Sequence, residues 1–176
     1  ATIEAYGYKD SAGNERGLYP EMQNELDVMV ATFIDAFNAV HREGWSLSEI
    51  EAGEKANDGA GFNFFDFDPD NPAKTLRVHD DITRSLDNIA AAAEILENGE
   101  ATAYPGDGSN ALRLANVKDM ELNFGGDSTT NVQSFYQGVI GDMAVNTNEA
   151  ERMTRNTMTL RDSVEDRRQS ISGVSL

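Results

Sequence analysis

Apolar residues fall into two stripes of helical spacing, separated by a long polar and glycine-rich stretch. In the first stripe, Met22, Leu26, Met29, Val30, Phe33, Ile34, Phe37 and Val40 recur at steps of three and four. That period puts them on one face of a helix, predicted over 20–42. Pro20 sits at the start, where a missing N–H is tolerated. Glu21 and Glu25 meet the positive end of the helix dipole, and Gly44 stops the helix.

In the second stripe, Val132, Phe135, Val139, Met143, Asn146, Ala150, Met153, Thr157, Leu160, Val164, Arg168 and Ile171 also follow steps of three and four. A period of about 3.5 residues held this long is the pattern of a coiled-coil seam. With Asp127 or Ser128 as a cap after Gly125-Gly126, it predicts a helix over 128–171. The seam is thin, and a long helix with a thin seam must lean on something.

The rest of the chain is read from shorter signals. Residues 2–8 alternate and carry aromatics, as a short strand does, and the following KDSAGNERG is turn chemistry. The insert 43–109 is irregular, with Phe62, Phe64, Phe65 and Phe67 in a cluster that suits an edge strand. Leu76-Arg77-Val78 reads as a second strand, 81–84 and 89–96 as helical turns, 97–109 as a loop. A short helix is predicted over 110–119, with Leu112, Leu114, Ala115 and Val117 as its apolar positions. The fold class is therefore mainly α: an antiparallel helix bundle with one long C-terminal helix, a small β-ribbon and an irregular region. It is read as a single rod-like domain over 1–176, and the start at Ala1 reads as that of an excised fragment.

Charge narrows the function. Fourteen Lys and Arg against 31 Asp and Glu give a net charge of −17. Such a chain repels phosphate backbones and anionic lipid, which argues against nucleic-acid and membrane-surface partners. With no cysteine there is no disulfide, thiolate metal site or cysteine nucleophile. No run approaches the ~20 apolar residues of a membrane span.

Candidate chemistry is sparse. Asp66, Asp68 and Asp70 alternate as in a calcium loop, but Asn71 stands where the turn wants Gly and Arg77 where a bidentate Glu belongs. Gly106-Asp107-Gly108-Ser109-Asn110-Ala111 matches a relaxed dinucleotide pattern without the preceding buried strand. His41 falls in a last helical turn, where a partial positive charge suits the dipole. His79 precedes Asp80 and Asp81, which could orient an imidazole as a general base, with no nucleophile motif beside it. Trp45 reads as a packing anchor. In the last helix Arg152, Arg155, Arg161, Arg167 and Arg168 interleave with Glu149, Glu151, Asp162, Glu165 and Asp166, the pattern of a solvated face that sets protein–protein register. No catalytic, cofactor-binding or metal-binding residue is assigned.

Four stretches are similar to a known family: GLYPEMQNELDVMVATFIDAFNAVHREGWSL at 17–47, NFFDFD at 63–68, GDGSNALRLANV at 106–117, and SFYQGVIGDMAVNTNEAERM through RRQSISGVSL at 134–176. In this order they resemble the C-terminal half of the flagellar hook-associated protein 1 family. The resemblance implies a non-enzymatic, cofactor-free structural subunit, exported by the flagellar secretion apparatus to the outside of the cell. Its implied partners are copies of itself in a ring, the hook protein, the second hook–filament junction protein, and an export chaperone at a C-terminus beyond Leu176. A fragment without the family's terminal pairing helices is expected to be monomeric. Other exported axial proteins, flagellin or the second junction protein, share the terminal pattern, and a hydrolase using His79 with Asp80 or Asp81 is the enzymatic alternative.

Overall fold

The computed structural model describes residues 7–13 and 15–173. The strand expected at 2–8 lies mostly outside them. The chain is mainly α and forms two compact units, Gln23–Gln137 and Ala1–Met22 with Gly138–Leu176.

Strands β1 (Tyr8–Lys9) and β2 (Glu15–Arg16) pair antiparallel, with Tyr8 opposite Arg16. Helix α1 spans Leu18–Glu43. Its acidic first turn and its His41–Arg42 end follow the polarity of the dipole.

The unit Gln23–Gln137 is built around the second half of α1. Val40 packs with Leu114 and Val117, and Phe33, Ala36 and Phe37 lie against them. Two short helices follow, α2 (Leu47–Ala52) and α3 (Pro72–Thr75), where the sequence suggested only irregular structure. Helix α2 starts on a capping box: the Ser46 hydroxyl accepts from the Glu49 N–H, and the Glu49 carboxylate accepts from the Ser46 N–H at 2.8 Å. It ends at Gly53, whose φ of 75° lies in the left-handed region that glycine adopts without strain.

Strands β3 (Phe65–Asp66) and β4 (Arg77–Val78) pair antiparallel, and an Asp66–Arg77 ion pair closes them. Phe64 and Phe65 lay their rings edge-on to Phe37, with centroids 5.4 and 5.2 Å away. Such pairs add about 0.5–1.5 kcal/mol beyond area burial. Helix α4 (Asp80–Arg84) leads into a 3₁₀ turn at Leu86–Asn88.

Beyond this turn the structure corrects two expectations. Residues 89–96 are not helical: Ala92 bridges to Trp45 and β5 starts at Ile95. Helix propensity in the alanines loses to pairing, because their small side chains let the backbone press against α1 and Trp45. Residues 97–109 are not all loop either. Strand β5 (Ile95–Glu97) pairs with β6 (Glu100–Thr102) across a two-residue turn at Asn98-Gly99. Both turn residues have positive φ, 54° and 89°, as the tight hairpin turn of this twist requires.

Helix α5 spans Ser109–Asn116 and continues as a 3₁₀ turn at Val117–Asp119. Leu114 and Val117 point inward, whereas Leu112 and Ala115, expected on the apolar face, are exposed. Leu122 then bridges Thr130, and this pairing delays helix α6 until Val132, four residues later than expected. Its cap is Asn131, whose side-chain oxygen accepts the Ser134 N–H at 2.8 Å, rather than Asp127 or Ser128. Helix α6 then runs to Ser172.

Candidate assembly surface

The seam read from the sequence divides along α6. Val132, Phe135 and Met143 are half-buried and Val139 is buried. Phe135 stacks on Phe124 with centroids 4.4 Å apart. From Asn146 onward the same seam is exposed: Met153 at 54%, Leu160 at 68%, Val164 at 65% and Ile171 at 82%. Steps of seven, four and seven residues keep these four on one face of a helix.

Several polar side chains around them are paired within the helix itself. Thr147, Thr154, Thr157 and Thr159 each return the hydroxyl to the carbonyl four residues back, at 2.8–3.0 Å. Thr157, a polar residue of the seam, thereby satisfies its hydroxyl within its own helix. Arg152 meets Glu149 and Arg168 meets Glu165, one turn apart. Between 144 and 172 the five arginines are matched by five carboxylates, so the −17 of the protein resides elsewhere. The result is a neutral helical wall with an aliphatic strip.

The insert, by contrast, is locked by buried polar groups. His41 is fully buried at the end of α1. Its Nδ1 lies 2.7 Å from the Phe62 carbonyl and its Nε2 3.0 Å from the Ala90 amide nitrogen. A carbonyl only accepts and an amide N–H only donates, so the proton is on Nδ1 and the ring is neutral. Burial lowers the pKa of His41, against the Phe62 hydrogen bond and Glu49, which raise it. The charged imidazole expected to complement the helix dipole is therefore corrected to a neutral connector of three segments.

Asn110, also fully buried, donates to the Val40 carbonyl at 3.1 Å and the Ala90 carbonyl at 2.7 Å. Asn38 donates to the Phe65 carbonyl and accepts from the Phe64 and Phe65 N–H groups. The Lys55 ammonium donates to the Arg42 and Gly44 carbonyls, supplying the cation that a helix C-terminus favours. Burial lowers its pKa. Trp45 is buried as an anchor, its indole N–H donating to Glu94 at 3.2 Å.

The remaining sequence candidates serve the fold. His79 caps α4, accepting the Asp81 N–H at Nδ1 over 3.2 Å, while the Asp81 carboxylate is held by Arg84 at 2.8 Å. Asp80 lies in the first turn of the same helix. Asp68 accepts the Asp70 N–H in a local turn. Asp107 accepts from the Ser109 hydroxyl and the Ala93 and Ser109 N–H groups, and these bonds lower its pKa. The glycine-rich segment is thus pinned to residue 93 rather than opened toward a phosphate. Among the described residues no group of three or more His, Cys, Asp or Glu could hold a metal ion. None of the described helices is long and apolar enough to cross a membrane.

The chain is 37% identical over 180 residues, 99% of its own length, to "Flagellar hook-associated protein 1" of Bacillus subtilis (strain 168). Over this span the chain belongs to the flagellar hook-associated protein 1 family. It spans about a third (32%) of the length of that hook-associated relative. No family model and no solved structure matches the chain. Since the match covers nearly all of the chain, both the exposed strip of α6 and the polar lock around His41 lie in the segment related to hook-associated protein 1.

Proposed function

We propose that this chain is part of a structural subunit of the bacterial flagellum that forms the junction between hook and filament by helix packing. The observation that carries this reading is the exposed strip Met153, Leu160, Val164 and Ile171 on a neutral helix. Burial of one such aliphatic group contributes about 1.5–3 kcal/mol, and a strip repeated on every copy multiplies that around a closed ring. A protein of net charge −17 repels its own copies over most of its surface, and the charge-balanced stretch 144–172 of α6 is where that repulsion is weakest.

The proposed setting is export by the flagellar secretion apparatus, assembly outside the cell, and contact with copies of itself, the hook protein and the second junction protein; the relationship to a protein named flagellar hook-associated protein 1 supports this reading. An export chaperone is a further proposed partner, acting before assembly. The mechanism requires no catalytic step and no cofactor.

The test is deletion of the parent gene, with electron microscopy of the cells and an assay of flagellin in the medium. Hooks without filaments and shed flagellin are expected. Normal filaments would refute the junction role. Complementation with a gene carrying Leu160→Asp and Val164→Asp then asks whether the strip is the working surface.

A further inference from the structure

Asn98-Gly99, the tip of the β5–β6 hairpin, is the one Asn-Gly pair in the sequence. Both residues are exposed, and a β-carbon added to Gly99 would meet nothing within 4 Å. Among the described residues the Asn98 carboxamide has no hydrogen-bond partner. Other asparagines next in line are committed: Asn57 donates to the Gly61 carbonyl, Asn123 accepts from Gly125, Asn131 caps α6 and Asn110 is buried. The hairpin is a two-stranded sheet of three residue pairs with no third strand among the described residues, a kind that is only marginally stable and opens locally at low cost.

We propose that Asn98 is a site of spontaneous deamidation, which makes the hairpin tip an age-dependent charge and register switch. On local opening, the Gly99 backbone nitrogen attacks Cγ of the Asn98 amide. The new C–N bond closes a five-membered imide, the Asn98 Cγ–Nδ2 bond breaks, and Nδ2 leaves as ammonia with the proton from Gly99. Water then adds to either imide carbonyl, giving aspartate or its β-linked isomer. Glycine is the residue that hinders this attack least, since it has no side chain and reaches conformations barred to others. No catalyst, metal or oxidant is needed.

The product places a carboxylate between Glu97 and Glu100 on an already acidic protein. The β-linked form also adds a backbone carbon to a turn whose two residues set the register of Ile95 against Thr102 and Leu96 against Ala101. A lengthened turn cannot keep that register. This chemistry is independent of the flagellar role.

The test is to age the purified protein at body temperature and mildly alkaline pH, digest it, and follow each asparagine peptide by mass spectrometry. Protein isoaspartyl methyltransferase with labelled methyl donor reads the β-linked product. Expected is a several-fold faster gain of the amide-to-acid mass increment at Asn98 than at Asn57, Asn123 or Asn131, with methyl label in the same peptide. Gly99→Ala should slow the loss several-fold, and Asn98→Gln should abolish it there, even where either change loosens the hairpin. Conversion at Asn98 no faster than at the other three, or unchanged in Gly99→Ala, would overturn the proposal.

Discussion

The side-chain amide of Asn110 fills the space that a β-carbon on Gly44 would need. That carbon would lie 2.6 Å from Asn110 Cγ and 2.8 Å from the Ala90 carbonyl oxygen, one a tightly bonded side chain and the other backbone. Gly44 therefore ends α1 less for its φ than for the close approach it permits, and Asn110 ties the helix end to the extended segment at Ala90 through that gap.

Gly44→Ala should overpack this junction and cost about 3 kcal/mol, read as a lower urea midpoint at unchanged slope. Asn110→Ala should cost about as much for the opposite reason, leaving the Val40 and Ala90 carbonyls without their donor. The double variant should be less damaging than the sum, since removing the amide makes room for the methyl. Additive losses would show that the two residues do not share one space.

How much of this was legible follows from the range of each interaction. Helix α1 and most of α6 came from periodicity, which is local. The capping box at Ser46 and Glu49 and the hairpin signal at Asn98-Gly99 were also present, and reading them would have replaced irregular structure by α2 and β5–β6. The role of His41 was not available in any local pattern. Its partners Phe62 and Ala90 lie 21 and 49 positions away, and only their meeting turns a helix-end cation into a neutral core group. The exposed strip on α6 was visible as a seam, but not that it stays covered only as far as Met143.

His41 predicts a pH dependence. Its folded pKa lies below the ordinary value near 6.5, chiefly through burial, with Lys55 and Arg42 adding to the lowering and Glu49 opposing it. Below about pH 6.5 the unfolded state therefore binds a proton that the folded state refuses. This contribution to stability is full above about 6.5 and is lost as pH falls toward the lowered folded value, at up to about 1.4 kcal/mol per pH unit. Urea midpoints measured across this window should fall with pH. In His41→Gln, less stable overall, that part of the slope should vanish. An unchanged slope would assign the pH dependence to carboxylates instead.

His79 offers the opposite test. As a cap for α4 it should cost about 1 kcal/mol on replacement by Ala, with a slightly lower melting temperature and no other change. Hydrolase activity in the parent protein that disappears in His79→Ala would defeat the structural reading. Asp81→Asn should likewise act only on local stability, through its contacts with Arg84 and with His79.

The α6 strip separates folding from assembly. Leu160 and Val164 are exposed at 68% and 65%, so Leu160→Asp and Val164→Asp should each change the stability of the isolated protein by no more than about 0.5 kcal/mol. Amide exchange over 146–171 should be fast there, since a helix with one open face is held mainly by its own hydrogen bonds. In the assembled flagellum the same amides should become protected, and the Asp variants should be exported yet fail to support filaments. Val139→Asp, at a buried position of the same helix, should instead destabilise the isolated protein by several kcal/mol. If the two exposed positions proved as costly to the isolated protein as Val139, the strip would already be covered in solution, and the surface proposed for assembly would lie elsewhere.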